Sequence, residues 1–171
     1  MNETPQQYIA RIMSYLDGQD PLKIQIATPK KLAKILKGAT SAKLRKRLAP
    51  GKWSAAEILA HLSDVEFAIG WRLRQILGAP GTPIQAFDQD AWFAAGHYDK
   101  RDARKSAEQF IALREANLAL LKSLTPKQWE DYGMHAERGK ETIRQVARMN
   151  AGHDINHLRQ LEALLQPKSR R

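Results

Sequence analysis

Cysteine is absent from this chain of 171 residues, and its absence narrows the chemistry that the chain can carry out. Without thiols the protein can have no disulfide, no thiolate metal site and no cysteine nucleophile. Any metal ion must therefore be held by histidine, aspartate, glutamate or backbone oxygen. Nitrogen-rich sites of that kind favour zinc, nickel, copper or iron.

Long apolar runs are missing as well. No stretch approaches the roughly 20 apolar residues of a membrane-spanning helix, and the N-terminal residues lack the basic and apolar regions of a secretion signal. We therefore expect a cytoplasmic protein without a membrane partner. Apolar residues make up 43% of the chain and charged residues 27%, which is an ordinary globular balance. The length suits a single domain over residues 1–171.

Acidic residues are missing between Asp20 and Glu57, whereas the formal net charge of the chain is +10. Ten basic residues lie in this interval: Lys23, Lys30, Lys31, Lys34, Lys37, Lys43, Arg45, Lys46, Arg47 and Lys52. Such a field attracts nucleic acid, anionic lipid or a small anionic substrate. A solvated helix face is the favoured alternative, because no base-reading motif accompanies the charge. Nucleic acid is thus a possible but disfavoured partner. The basic tail at residues 167–171 is interpreted as frayed.

Strand signals are nearly absent, since alternating β-branched runs and Asn-Gly or Asp-Gly turns do not occur. Helix signals are frequent. Thr28-Pro29 and Thr125-Pro126 each place a hydroxyl at an N-cap and proline at the next position. Ser54 and Glu57 have the spacing of a capping box.

These signals predict an all-α fold, a helix bundle with short extra helices in the connections. A lead helix is expected near residues 4–16, within the leading segment 1–19. The four long helices are expected near residues 22–38, 54–78, 102–123 and 139–166, the first of them bent at Thr28-Pro29. Short helices or turns are expected near 41–48, within 80–101 and from Thr125.

Three histidines fall on or beside the apolar faces of two of these helices. His61 lies at the margin of a stripe with steps of three and four residues, formed by Ile58, Leu62, Val65, Ile69, Leu73 and Ile76. His153 and His157 take positions where the period of the last helix requires apolar side chains, and their spacing of four puts them on one side. A metal ion bound by the three imidazoles would satisfy their ring nitrogens and leave an open coordination position. A satisfied core histidine at 61 and a surface pair at 153 and 157 remain open alternatives.

Several other polar residues are candidates near these histidines. Asp64 is interpreted either as a general base or hydrogen-bond acceptor beside His61, or as a solvated carboxylate, and Glu57 is assigned to its capping box. Asn150 and Gln160 bracket the histidine pair and are possible pocket residues.

Residues farther from the three histidines carry weaker expectations. His97 and His135 lie in connections and are expected to be solvent-exposed, with the alternative that either loop folds over the mouth of the metal site. Arg72 and Arg74 either meet an anionic substrate or are simply exposed. The tryptophans are expected to pack at a helix start or to anchor a core or an interface: Trp53, Trp71, Trp92 and Trp129.

Two stretches of the sequence resemble the DinB-like superfamily, which includes YfiT-type proteins. One is the Trp-Ser-Ala-Ala-Glu-Ile-Leu-Ala-His run at residues 53–61, and the other is the His-Asp-Ile-Asn-His run at residues 153–157. A connecting segment at residues 83–92 is similar too, so the likeness covers about residues 20–165. The resemblance implies a four-helix bundle with up-down-down-up connectivity and a homodimer. It also implies that His61, His153 and His157 hold a divalent ion, zinc or nickel.

Two functional hypotheses follow. In the first, the protein is a metal-dependent enzyme that activates a water or thiol nucleophile on a small-molecule substrate, with Asp64 as a base. The resemblance implies hydrolases, or S-transferases that use a low-molecular-weight thiol. In the second, it is a non-catalytic stress-response or binding scaffold that uses its basic surface. Salt-dependent DNA binding would favour the second hypothesis.

Overall fold

The computed structural model describes residues 4–165, so the predicted tail and the last predicted helical residue lie outside the described part. Seven α-helices, one 3₁₀ helix and three short strands occur in that part. In chain order they are α1 (Pro5–Ser14), α2 (Pro21–Leu36), α3 (Ser41–Arg45), α4 (Ala55–Gly78), β1 (Pro83–Ile84), α5 (Gln89–Ala95), α6 (Ala103–Ser123), the 3₁₀ helix (Gln128–Glu130), β2 (Tyr132–His135), β3 (Gly139–Thr142) and α7 (Ile143–Leu165). None of the described helices is both long and apolar enough to cross a membrane.

The four long helices α2, α4, α6 and α7 form the predicted bundle, and hydrogen bonds between them fix the direction of each. Gln25 of α2 donates to the Ala147 carbonyl of α7 at 2.9 Å, and Thr28 donates to Asp154 at 2.8 Å. From Gln25 to Thr28 along α2, the bonded partner moves forward along α7 from residue 147 to residue 154. The helices α2 and α7 therefore run parallel.

Helix α4 runs against α7 and alongside α6. His61 of α4 lies beside His153 of α7, whereas Glu66, further along α4, contacts the earlier residue Asn150. The strands β1 and β2, which follow α4 and α6, pair in parallel at Ile84 and His135, so α4 and α6 end on the same side of the bundle. The connectivity is therefore up-down-down-up, as predicted.

Side-chain caps explain where the helices begin. Ser54 accepts a hydrogen bond from the Glu57 backbone N–H, and the Glu57 carboxylate accepts one from the Ser54 N–H, which confirms the capping box. Asp102 caps α6 with its carboxylate. The cap of α2 is Asp20 with Pro21 at the next position, close to the predicted start near residue 22, and the cap signal at Thr28-Pro29 lies inside the helix.

Pro29 lies inside α2 and leaves one backbone carbonyl without its helical donor. The missing N–H would have bonded to the carbonyl of Gln25, four residues earlier. Arg114 Nη1 donates to that Gln25 oxygen at 3.4 Å instead. The proline therefore leaves the Gln25 carbonyl free to accept a hydrogen bond from Arg114, a buried arginine of α6.

A small three-stranded sheet in the order β1-β2-β3 is added to the predicted helix bundle, and the sequence carries almost no signal for it. β2 and β3 form an antiparallel hairpin closed by His135 and Gly139, and Gly139 adopts φ +74°. The three-residue loop 136–138 is thus followed by a glycine in the left-handed region, and such a hairpin has no Asn-Gly signature. The strands have two to four residues, too short to show a period of two. The sheet takes the first four residues of the predicted last helix and closes one end of the bundle.

Most of the apolar core divides between the two ends of the bundle, and a smaller separate cluster consists of Leu16, Ile24 and Ala151. One cluster joins α2, α4, α6 and α7 around Leu32, Leu59, Phe110 and Leu161. A second cluster joins the sheet end around Leu73, Ile84 and Ile143. Polar side chains, including the three candidate histidines, occupy the layer between the clusters.

Candidate metal centre

The three candidate histidines converge inside the bundle. One ligand atom from each of His61, His153 and His157 lies within 4.8 Å of the others, the only such group of three found among residues 4–165. His61 Nε2 and His153 Nε2 are 3.0 Å apart. The three ring centroids are separated by 4.3 to 5.1 Å. The antiparallel packing of α4 against α7 brings His61 next to His153, although 92 positions of sequence separate the two residues.

Burial keeps the three imidazoles neutral. Desolvation lowers the pKa of His61 and of His153 well below the ordinary histidine value, and neighbouring histidines add to the shift. Burial also lowers the pKa of His157 to about 4, although its hydrogen bond to Gln160 acts in the opposite direction. Neutral imidazole is the form that binds metal ions, so the centre is in its ligating state at pH 7.

Hydrogen bonds orient the rings in a way that suits metal ligation. His157 Nδ1 donates to Gln160 Oε1 at 2.8 Å, which leaves Nε2 as the atom with a free lone pair. His153 Nδ1 is buried and has no partner among the described residues, so this ring is not a satisfied core histidine.

The distances agree with a shared ion as well. Two nitrogens of a tetrahedral zinc site, each about 2.05 Å from the metal, are roughly 3.3 Å apart, close to the 3.0 Å between His61 and His153. The donor set therefore fits a divalent ion bound by three imidazoles.

Aromatic side chains and helix α1 cover the centre. Trp53 meets the His61 ring edge-on with centroids 5.0 Å apart, and it stacks on Phe93 at 5.5 Å. Trp53 therefore packs at the start of α4, as the sequence predicts. Helix α1 lies across α7, where Arg11 Nη1 donates to Asn156 Oδ1 at 2.8 Å. Tyr8 of α1 lines the cavities on both sides of the histidines.

A cavity of about 160 Å³ reaches His61 and His153 from the side of the sheet. Its other polar lining residues are Tyr8, Arg72, Gln89, His135, Glu137, Arg138 and Asn150. A larger cleft of about 640 Å³ reaches His157 from the opposite side and is lined by Trp53, Asn156 and Gln160 among others. The centre can therefore be approached from two directions.

Asp64 lies on the α4 helix beside His61 but is bound elsewhere. Its two carboxylate oxygens accept hydrogen bonds from Arg101 Nη1 at 2.7 and 2.8 Å. Asp64 lines neither of the two cavities at the histidines. The base role expected for it stays a prediction, and the contact with Arg101 argues against it.

The remaining candidates divide between scaffold and site. Glu57 is held by its capping box and by an ion pair with Arg47, as expected for a structural residue. Gln160 bonds to His157, and Asn150 lines the cavity while its amide donates to Glu66 at 3.2 Å. Both amides therefore act at the centre or next to it.

The expected exposure of His135 was wrong, and the alternative that its loop folds over the histidines agrees with the lining of the cavity, whereas His97 is exposed as predicted. His135 is 3% exposed because β2 pairs with a strand on each side and turns this side chain into the cavity. Arg72 is also buried and lines the cavity, while Arg74 is exposed.

The other tryptophans differ in burial. Trp129 is half-buried against the sheet-end core. Trp92 is half-buried and stacks on Phe87. Trp71 is 59% exposed, so it is no core residue, and its role at a dimer interface stays a prediction.

A buried charged network behind the histidines was not foreseen from the sequence. Arg114 Nη2 donates to Glu66 Oε2 at 2.7 Å and to Asp154 Oδ1 at 2.9 Å, and all three side chains are at most 1% exposed. A signal was available, because Arg114 falls four residues after Phe110 and four before Leu118 on the buried face of α6. The network fixes the turn of α7 that carries His153.

Comparison with known proteins agrees with this geometry. The profile of the DinB superfamily matches residues 26–161. A protein of Oceanobacillus iheyensis named "putative metal-dependent hydrolase" is 22% identical over 139 residues, 81% of this chain and 80% of that protein. A solved structure, YfiT from Bacillus subtilis, is 22% identical with a TM-score of 0.77, over 84% of this chain and 83% of YfiT. It is described as "a probable metal-dependent hydrolase with an unusual four-helix bundle topology".

Proposed function

This chain belongs to the DinB superfamily, and we propose that it is a metal-dependent hydrolase whose ion is held by His61, His153 and His157. One observation carries the proposal: three neutral imidazoles from two helices meet within 4.8 Å in the interior of the bundle. When bound, a divalent ion of this class supplies Lewis acidity and a nucleophile at neutral pH. Zinc and nickel are the ions we propose, because imidazole ligands suit both and the resemblance to DinB-like proteins implies these two.

The chain's own residues supply binding, orientation and shielding. Gln160 holds the His157 ring by its Nδ1–H, which keeps Nε2 available as a ligand. Trp53 covers the edge of His61 and limits access of bulk water on that side. The cavity that reaches His61 and His153 gives a small molecule a route to the centre.

Hydrolysis is preferred over thiol transfer because both named relatives are described as metal-dependent hydrolases. At 22% identity these names support the proposal without assigning a reaction. A transferase using a low-molecular-weight thiol shares the same three ligands, so it is tested in parallel.

The deciding experiment measures metal content and turnover together. The purified protein is assayed by element-resolved mass spectrometry, then freed of metal and reloaded with zinc or nickel. Each form is tested on a panel of small esters and amides, with and without added thiol. We expect about one ion per chain and hydrolysis only by loaded protein, and a reaction that requires thiol would replace the hydrolase proposal by the transferase.

Two histidine variants provide a matched comparison. His153→Ala removes one ligand and should abolish metal retention and turnover. His97→Asn alters an exposed histidine at φ +47°, a conformation that asparagine tolerates, and should leave both unchanged. Equal metal content in wild type and His153→Ala would refute the proposal that the three histidines hold the ion.

A further inference from the structure

Arg72 is a buried cation without a carboxylate partner. The residue is 8% exposed, and within residues 4–165 it takes part in no ion pair. Its Nη2 donates to the backbone oxygen of Gln85 at 2.9 Å, and the guanidinium carbon lies 5.2 Å from the Phe87 ring centroid. A carbonyl and a ring face stabilise the cation only in part, and a buried charge is costly unless it is paired. The planar guanidinium retains N–H groups for a further acceptor.

His135 presents a second unused donor in the same cavity. Its Nδ1 accepts a hydrogen bond from the Glu137 backbone N–H at 3.2 Å, which places the ring proton on Nε2. His135 Nε2 is buried and has no partner within the described part of the chain. A buried N–H without an acceptor is rare in folded proteins and requires a reason.

The other charges at this cavity do not supply the missing acceptor. Arg138 is bound by Glu141, with Nη2 to Oε2 at 2.9 Å, so these two groups neutralise each other. Glu137 lines the cavity, but its side chain is exposed. One positive charge and one N–H donor therefore remain directed to the cavity that His61 and His153 also line.

We infer that Arg72 and His135 form a carboxylate-binding site, so that the substrate of the metal centre is a small molecule with a carboxylate group. A planar carboxylate matches the fork of an arginine and accepts an additional hydrogen bond from an imidazole N–H. The cavity of about 160 Å³ is small compared with the roughly 300–1,000 Å³ of a drug-sized pocket. It therefore takes a small acid or the acid end of a longer molecule. The inference rests on the proposed function only in naming this ligand as the substrate.

The test compares propanoate with propanamide, which has a similar shape but no charge. Their dissociation constants are measured by isothermal titration calorimetry on zinc-loaded and on chelator-treated protein. We expect wild type to bind propanoate at least tenfold more tightly than propanamide in both states, because hydrogen bonds to charged groups are the stronger ones. Equal affinity for the two compounds in both states would overturn the inference.

Variants separate this site from direct binding of the acid to the ion. Arg72→Gln should weaken propanoate binding at least tenfold and leave propanamide binding and metal content unchanged. His135→Phe should weaken propanoate binding by a smaller factor, since this substitution removes a neutral hydrogen-bond donor. Arg144→Gln is the charge-matched control, because Arg144 is 54% exposed and pairs with Glu130 on the surface. An unchanged dissociation constant in folded Arg72→Gln and His135→Phe proteins would overturn the inference.

The results distinguish this inference from the proposed function. Propanoate binding that depends on Arg72 in protein unable to retain metal would support the carboxylate site and refute the hydrolase. Hydrolysis by loaded protein, with no effect of Arg72→Gln on propanoate binding, would support the hydrolase and refute the carboxylate site. Thermal unfolding followed by circular dichroism identifies any variant that fails to fold. If Arg72→Gln does not fold, Arg72→Lys is used in its place. Arg72→Lys should also bind propanoate more weakly than wild type, because lysine lacks the planar fork.

Discussion

At the scale of single residues, burial sets the protonation state of the three ligand histidines and links it to stability. His157 has a pKa of about 4 in the folded protein, whereas an unfolded histidine titrates near about 6.5. Between these values the unfolded chain binds more protons than the folded one. The free energy of unfolding therefore falls as the pH is lowered through this window.

We predict that metal-free protein loses stability on acidification from pH 7 to pH 5, with about 2 kcal/mol of the loss due to His157 alone. The measurement is urea denaturation of chelator-treated protein at the two pH values. In His157→Gln the difference between the two pH values should shrink by about that amount. An identical pH dependence in variant and wild type would show that His157 is not held neutral by the fold.

Asp64 provides a second residue-scale prediction. Because Arg101 binds both carboxylate oxygens, Asp64→Asn should leave turnover within about twofold of wild type and cost up to about 1 kcal/mol of stability, the range of partly exposed ion pairs. Steady-state kinetics of the zinc-loaded variant provides the test. A fall of about 10²–10⁴-fold in kcat would instead assign the carboxylate to proton transfer.

At the scale of helices and strands, the position of α1 depends on the absence of a side chain at residue 152. A Cβ on Gly152 of α7 would lie 2.3 Å from the Ile12 carbonyl oxygen and 2.8 Å from its carbon. Both are backbone atoms and cannot rotate away. Gly152→Ala should therefore displace α1 from the centre that it covers.

We predict that Gly152→Ala destabilises the protein by about 1–3 kcal/mol, the usual cost of overpacking. Gly78→Ala is the matched control, because Gly78 also lies in a helix, has no atom within 4 Å of a built Cβ and does not have positive φ. That control should be neutral or slightly stabilising, since alanine has the higher helix propensity. Thermal and urea unfolding of both variants provide the comparison, and equal stability would contradict the close packing of α1 on α7.

The sequence predicted the long elements because their determinants are local. The capping box of Ser54 and Glu57 marks the start of α4, and the spacing of apolar residues places His61 on an inward face. The sheet could not be predicted in this way, because Ile84 and His135 become neighbours only through pairing of distant segments. His135 was consequently expected in solvent, and the sequence left open whether Arg72 meets an anionic substrate or is simply exposed. The convergence of the three histidines and the place of Asn150 beside them could be predicted, whereas the cavity walls formed by the sheet could not.

At the scale of the whole molecule, the network of Glu66, Arg114 and Asp154 holds the bundle in register. Arg114 of α6 contacts α4 through Glu66, α7 through Asp154 and α2 through the Gln25 carbonyl. Burial alone would lower the pKa of Arg114, but the two carboxylates overcome this effect and raise it. Every long helix therefore has a partner in one charged cluster placed directly beneath the histidine layer.

The basic block, which is the set of ten basic residues between Asp20 and Glu57, partly makes contacts within the fold. Lys43 Nζ donates to the Leu165 carbonyl, Arg45 donates to the Asp99 carbonyl, and Arg47 pairs with Glu57. The lysines of α2 are exposed. These contacts give part of the block a role in tying α3 to the rest of the bundle, and the binding of nucleic acid to the remaining charges stays a prediction to be tested by its salt dependence.

Removal of the arginine alone should be far more damaging than removal of the whole cluster. Arg114→Met leaves two buried carboxylates without a counter-charge, and we predict a loss of about 3–5 kcal/mol in the free energy of unfolding. The triple variant Glu66→Gln, Arg114→Met, Asp154→Asn removes both charges as well and should regain most of that loss. Arg144→Met breaks only an exposed ion pair and should cost under about 1 kcal/mol. Urea denaturation at pH 7 ranks the four proteins, and an Arg114→Met protein as stable as Arg144→Met would mean that Glu66 and Asp154 do not carry buried charge.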